Sequence, residues 1–156
     1  HGHHLMEDSV HCDLLLPEGC RWSSEGSMLF VAPRSKEEAQ QVTDALLKIG
    51  MQIWEEKLLP NDIEEDVLVF SCKAGEYISF EKALKATGQI RGVSKYQSNH
   101  GMRPGTKEDY RFCIFAGPNV PQQQVEFAQA VQVAPTIAQI MGVDTPWNIE
   151  PILKAV

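Results

Sequence analysis

The 156-residue sequence has no apolar run approaching the length that spans a bilayer, which takes roughly 20 residues. Its start also lacks the basic and apolar regions of a signal peptide. A helical membrane segment is therefore not expected within this chain. Cysteine is sparse, at Cys12, Cys20, Cys72 and Cys113, with irregular spacing and no C-x-x-C pair. That pattern argues against a disulfide framework or a zinc ribbon. It reads as buried or free thiols and leans toward a reducing, cytoplasmic compartment. Positive charge is in deficit, with 14 Lys and Arg against 21 Asp and Glu and a net charge of -7. An acidic surface repels phosphate backbones, so duplex nucleic acid is not an expected partner. A small phosphorylated ligand stays compatible, because a bound metal reverses the local field. The three tryptophans, Trp22, Trp54 and Trp147, are too scattered to form a stacking platform. Repeats, low-complexity tracts and an obvious linker are also missing, and the length suits one domain.

A hydrophobic fraction of 43% and a charged fraction of 22% supply material for a packed core. Residues 1–25 carry little periodicity and read as loop. Residues 27–32 (SMLFVA) read as a strand closed by Pro33. Ser35 and Glu38 have capping-box spacing, and Ala39, Val42, Leu46 and Ile49 follow as one apolar helical stripe ending at Gly50. Residues 51–55 (MQIWE) read as a strand, which makes a βαβ-like layer. Residues 60–65 read as a polar connection, with Glu64, Glu65 and Asp66 as a solvated turn before a buried strand at 67–70 (VLVF). A weak helix is placed around 80–86. A long glycine-rich loop at 88–107 follows, and loops of that length usually have a function. Residues 111–116 (RFCIFA) read as a strand. A last helix has Pro135 at its first position and ends at Gly142.

Two His-Gly pairs stand out, His1-Gly2 and His100-Gly101. Histidine offers a neutral nitrogen to zinc, and the following glycine lets the backbone turn so that the ring enters a crowded site. Neither pair is specific by itself, and HGHH also matches the remains of a purification tag. His3, His4 and His11 carry no independent functional signal. Lys95, Arg103 and Lys107 flank His100 and could hold a phosphate, but they read first as solvated loop charges. Tyr96 reads as a packing residue.

The segment SNHGMRPGTKEDYRFCIFAGPNV, followed by QVAPTIAQIMGVDTP, resembles the closing part of alkaline phosphatase superfamily enzymes. The likeness is to their nucleotide pyrophosphatase/phosphodiesterase branch. In that family a small-residue-His-Gly loop precedes a strand ending in Gly-Pro and then a helix of the Ala-Pro-Thr-Ile type. The match here is Val133-Ala134-Pro135-Thr136-Ile137 and Ile140-Met141-Gly142-Val143. His1-Gly2 fits the second half of the family's Asp-His-Gly motif. The resemblance spans the chain and is strong over 98–145.

It implies an α/β fold, the C-terminal portion of an alkaline-phosphatase-like α/β/α sandwich over residues 1–156. A small βαβ-like insert would occupy about 26–90, with a return to the core fold over 91–156. His1 would bind one divalent metal and His100 a second, zinc by family expectation. Two metals roughly 3.5–4 Å apart stabilise the attacking and leaving oxygens of an in-line displacement. A Thr or Ser nucleophile and the other ligands would lie upstream, outside this chain. The substrate would be a small molecule with a phosphodiester or pyrophosphate bond. The missing N-terminal part of the same domain would be the chain's partner, and the chain alone would be inactive. A phosphonate hydrolase or sulfatase of the same superfamily is the nearest alternative. Another class of alternative is a small non-enzymatic α/β binding module. Two departures stand out. Asn99 occupies a position where the family often has Thr or Ser, and Gln132 replaces a capping Asp. Losing such a cap costs on the order of 1 kcal/mol, partly offset by Pro135.

Overall fold

A computed structural model describes residues 3–55, 67–83, 88–103 and 105–153. The chain is mixed α/β, with several small sheets and few helices. It divides into two units, residues 1–112 and 113–156. In chain order the first unit contains β1 (His4–Leu5), β2 (Asp8–His11), α1 (Cys12–Leu15), β3 (Arg21–Glu25) and β4 (Met28–Ala32). It continues with α2 (Lys36–Lys48), β5 (Gln52–Ile53), β6 (Leu68–Ser71), β7 (Ile78–Glu81), β8 (Arg91–Gly92) and β9 (Ser98–Asn99).

The largest sheet has the order β3-β4-β6-β5. β6 runs antiparallel to both β4 and β5, so β4 and β5 are parallel with β6 between them. The α2 crossover thus makes the expected βαβ-like layer a split one. The apolar stripe of α2 buries Val42 and Leu46 completely, against Leu29 and Val31 of β4 and Phe70 of β6. A second sheet, β7-β2-β8, pairs β2 with β7 in parallel and adds Val10 and Phe80 to the same core.

Both ends of α2 are set by local chemistry. Ser35 accepts from the Glu38 amide at 3.2 Å, half of the expected capping box. The Glu38 carboxylate does not return to Ser35. It accepts from the Arg34 amide at 2.5 Å and from Arg34 Nε at 3.0 Å, because a guanidinium is the stronger donor. At the other end Gly50 has φ +88°. Its amide donates to the Leu47 carbonyl and that of Met51 to the Leu46 carbonyl, each at 3.0 Å. This is the Schellman termination that a left-handed glycine permits.

The Arg34 guanidinium lies on the Glu38 carboxyl and holds it below the usual carboxylate range. A depressed folded-state pKa contributes stability above the unfolded value and loses it as pH falls through the folded value. The urea midpoints of wild type and Glu38→Gln are therefore expected to differ near pH 7. They should converge as the pH is lowered through and below about 4.3. A constant gap over that range would mean the pair contributes no pH-dependent stability.

Several sequence expectations change. The described residues of the stretch 1–25, from His3 on, hold three strands and a short helix instead of loop. Residues 78–81 form β7, not the start of a helix at 80–86, because pairing with β2 overrides the local preference. Residues 84–87 lie outside the described residues, as do the connection at 60–65 and the acidic run Glu64–Asp66. The long loop at 88–107 contains β8, β9 and the start of a 3-10 turn at Lys107–Asp109.

The second unit holds a 3-10 turn (Ala130–Gln132) that runs directly into α3 (Val133–Met141). Pro135 is the third residue of α3, where the orphan amides of a first turn still tolerate it. Gly142 closes the helix at φ +66°. Gln132 does not cap α3 with its side chain, whose Nε2 donates to the Glu150 carbonyl at 3.0 Å. Thr136 is fully buried; its hydroxyl donates to the Gln132 carbonyl at 2.6 Å and accepts from the Ile152 amide at 2.8 Å. Residues 111–116 form no strand. They have no strand partner among the described residues, and Phe112 is 88% and Ile114 78% exposed. No helix among the described residues is long and apolar enough to cross a membrane.

Candidate functional site

The antiparallel pair β1–β9 brings the N-terminal histidine tract against the His100 loop, with His4 opposite Asn99 and Leu5 opposite Ser98. The His3 and His100 rings meet edge to face with centroids 5.4 Å apart. His4 stacks on Tyr77 at 4.8 Å, and its Nε2 lies 3.0 Å from the Glu108 carbonyl. His1, the other histidine in an expected metal-binding role, lies outside the described residues. Asn99 has a local role: its Oδ1 accepts from the His100 amide at 2.9 Å. A Thr or Ser hydroxyl can make the same kind of bond.

His100 is held from the opposite side by the β3–β4 hairpin. Its Nε2 lies 3.5 Å from the Glu25 carboxylate, and its side chain is 32% exposed. The two glycines at this junction interlock. A Cβ on Gly26 would overlap the His100 carbonyl oxygen, and a Cβ on Gly101 would overlap the Glu25 carbonyl oxygen. Both glycines have positive φ, +57° and +78°, so each position excludes a side chain by backbone conformation as well as by space.

Glu81, 3% exposed, anchors the approach to this loop. Its carboxylate accepts from the Ser79 hydroxyl, from the Ser94 hydroxyl at 2.5 Å and from the Lys95 amide at 3.2 Å. His11 is also buried, with Nδ1 2.8 Å from the Gln89 carbonyl. A carbonyl can only accept, so Nδ1 carries the proton there. His11 thus ties β2 to the chain leading into β8, a structural use. Lys107 is solvated, with a side chain 84% exposed. Lys95 lies 4.7 Å from the Tyr96 ring centroid.

All four cysteines are free thiols. Burial pushes the Cys12 thiol up to about 12 and raises that of Cys72. Neither is a thiolate nucleophile at neutral pH.

Sequence analysis missed Glu25, Gly26 and Glu81. The Glu25-Gly26-Ser27 step was a usable hairpin signal. Nothing local in the sequence links it to His100. Among the described residues no group of three His, Cys, Asp or Glu side chains is placed to hold a metal ion. His100 is one donor, and the described donors do not by themselves complete a site. Comparison with protein-family models, with curated proteins and with solved structures finds no match.

Proposed function

We propose that this chain supplies the C-terminal part of a metal-dependent hydrolase of phosphodiester or pyrophosphate bonds, within an alkaline-phosphatase-like α/β/α sandwich. The nucleophile, a Thr or Ser, lies outside the chain. Two divalent metals, zinc by resemblance, would be held in part by His1 and His100, and the substrate is a small phosphorylated molecule. The observation that carries the proposal is the β1–β9 pairing, which sets the segment following His1-Gly2 against the segment preceding His100-Gly101. Residues shortly after the first motif thus lie beside residues just before the second, which supports the reading. Residues 111–116, mostly exposed and without a strand partner among the described residues, support the same view. A continuous apolar run is what a strand buried on both faces of a parallel sheet requires, and the missing N-terminal part of the domain would provide its neighbours.

A specific observation also favours a small binding module. The first unit has its own core, in which Val10, Leu29, Leu46 and Phe70 are fully buried. Zinc competition against a chromophoric chelator separates the two. For a hydrolase part, His100→Ala is expected to weaken zinc binding by at least about 10-fold, since even the loss of a ligand's outer-shell partner costs about 10–100-fold, while the double variant His3→Ala/His4→Ala changes it little. The reverse ranking would mark the N-terminal tract as an adventitious metal binder and favour the module.

A further inference from the structure

Among the described residues, one edge of the largest sheet has no strand partner. β3 is the terminal strand of the order β3-β4-β6-β5, and the direction of its unused backbone groups follows from the register. β3 and β4 are joined by the two-residue turn Gly26-Ser27, with Glu25 opposite Met28, Ser23 opposite Phe30 and Arg21 opposite Ala32. Closing pairs of two-residue hairpins exchange both hydrogen bonds, and such pairs then alternate along the ladder. Arg21, Ser23 and Glu25 therefore bond inward to β4. Trp22 and Ser24 turn their N–H and C=O outward. The far edge of the sheet obeys the same parity, since the Trp54 amide of the chain leaving β5 donates to Val69 at 2.7 Å. Among the described residues the outward groups of Trp22 and Ser24 have no backbone partner.

Beside this edge lies a groove of about 790 Å³. All five residues of β3 line it, as do Phe80, Lys82, Lys95 and Tyr96. Here the Phe80 amide reaches the Gly26 carbonyl at 3.4 Å and the Ser24 hydroxyl donates to the Phe80 carbonyl at 2.8 Å. Sheet edges that must stay free of partners carry charged side chains, proline or a bulge, or are kept very short or covered. β3 (RWSSE) has no proline and pairs with β4 without a bulge, and its charged residues, Arg21 and Glu25, stand only at its two ends. Its charges select the occupant. Arg21, Lys82 and Lys95 are exposed around the groove, whereas Glu25 is the one exposed carboxylate lining it and the Glu81 carboxylate is buried and already accepts from its neighbours. On a chain of net charge -7, this is a local reversal of sign.

We propose that the β3 edge is a docking site for an acidic, extended peptide segment, which adds as a fifth strand through the outward backbone groups of Trp22 and Ser24. Main-chain bonds supply affinity in this mode, and the lysines and arginine favour acidic side chains. The proposal does not rest on the hydrolase role, although Glu25, Glu81 and Asn99 border the groove as well as the His100 loop.

The test uses the full chain and a fluorescein-labelled octapeptide of alternating Glu and Thr, read by fluorescence anisotropy. Saturable binding is expected. Ser24→Pro removes the outward N–H while sparing the inward ladder, which an edge strand tolerates, and should weaken binding at least 10-fold. Ser24→Ala loses only the hydroxyl bond to Phe80 and should bind within 3-fold of wild type. A peptide N-methylated at alternate residues should fail on wild-type protein, which keeps the test decisive even if Ser24→Pro misfolds. An alternating Lys-Thr peptide should bind at least 10-fold more weakly. The proposal is overturned if no acidic peptide binds, or if the N-methylated peptide binds as well as its parent. It is equally overturned if inorganic tripolyphosphate competes as well as the peptide does, since the groove would then be an anion site without strand addition.

Discussion

Gly26→Ala is expected to unseat the His100 loop and to destabilise the first unit by about 2–4 kcal/mol. Two effects add. Alanine at φ +57° adopts a left-handed conformation that costs L-residues roughly 1–2 kcal/mol. Its Cβ would also occupy the space of the His100 carbonyl oxygen, so one of the two chain segments must move. Gly101→Ala should act in the same way through the Glu25 carbonyl. Gly50→Ala is the internal control. It has a positive φ of +88° but nothing within 4 Å of the added carbon, so its cost should stay near 1 kcal/mol. Denaturant unfolding gives the three values, and the His100 ring resonances in NMR report whether the imidazole has left Glu25. If Gly26→Ala cost no more than Gly50→Ala and left those resonances in place, the interlocked glycines would not position His100.

Phe70→Ala is expected to have the largest effect on folding, about 3–5 kcal/mol. Phe70 is fully buried and is the largest of the fully buried side chains. It sits on β6, the strand between β4 and β5, and belongs to the core cluster with Leu46 of α2. Removing it leaves a cavity that strands and helix cannot close without breaking the sheet register. Typical domains are stable by only about 5–15 kcal/mol, so a large share of that margin would go. Leu5→Ala, at a side chain 75% exposed, should change stability by less than about 0.5 kcal/mol. Urea midpoints for the two variants provide the comparison. A small loss for Phe70→Ala would mean that the core relaxes around the gap.

The parts of this fold legible in the sequence are those whose signals are local. α2 announced itself by Ser35, its apolar stripe and Gly50. β4 and β6 showed as short β-branched and aromatic runs. The span of α3 was bracketed by Pro135 and Gly142, with its start misplaced because a 3-10 turn leads into it. β3 escaped notice because an edge strand needs few apolar residues, and RWSSE has one. Residues 81–86 combine good helix formers, yet β7 ends inside that stretch because β2 offers it a ladder. The run at 111–116 shows the reverse failure: a strong strand pattern has no strand partner among the described residues, and a strand needs neighbours. At the candidate site, the His-Gly pair was visible as a dipeptide. Its partners were not, because Glu25, Gly26 and Glu81 reach the His100 loop only through the tertiary fold.

The parallel pair β2–β7 sets Asp8 beside Ile78, and β1–β9 sets His4 beside Asn99. Everything from α1 to the turn before β7, including the largest sheet and α2, is therefore a single crossover between two adjacent strands. Closing so long a loop carries an entropic cost that rises with its length, whereas the β3–β4 hairpin closes over two residues. Chain topology thus separates folding into local and non-local steps, and contacts far apart in sequence slow the whole. The histidine junction belongs to the non-local step. It is assembled by the closure that joins the two ends of the first unit, so its integrity reports on completion of the fold and not on the stability of any one element.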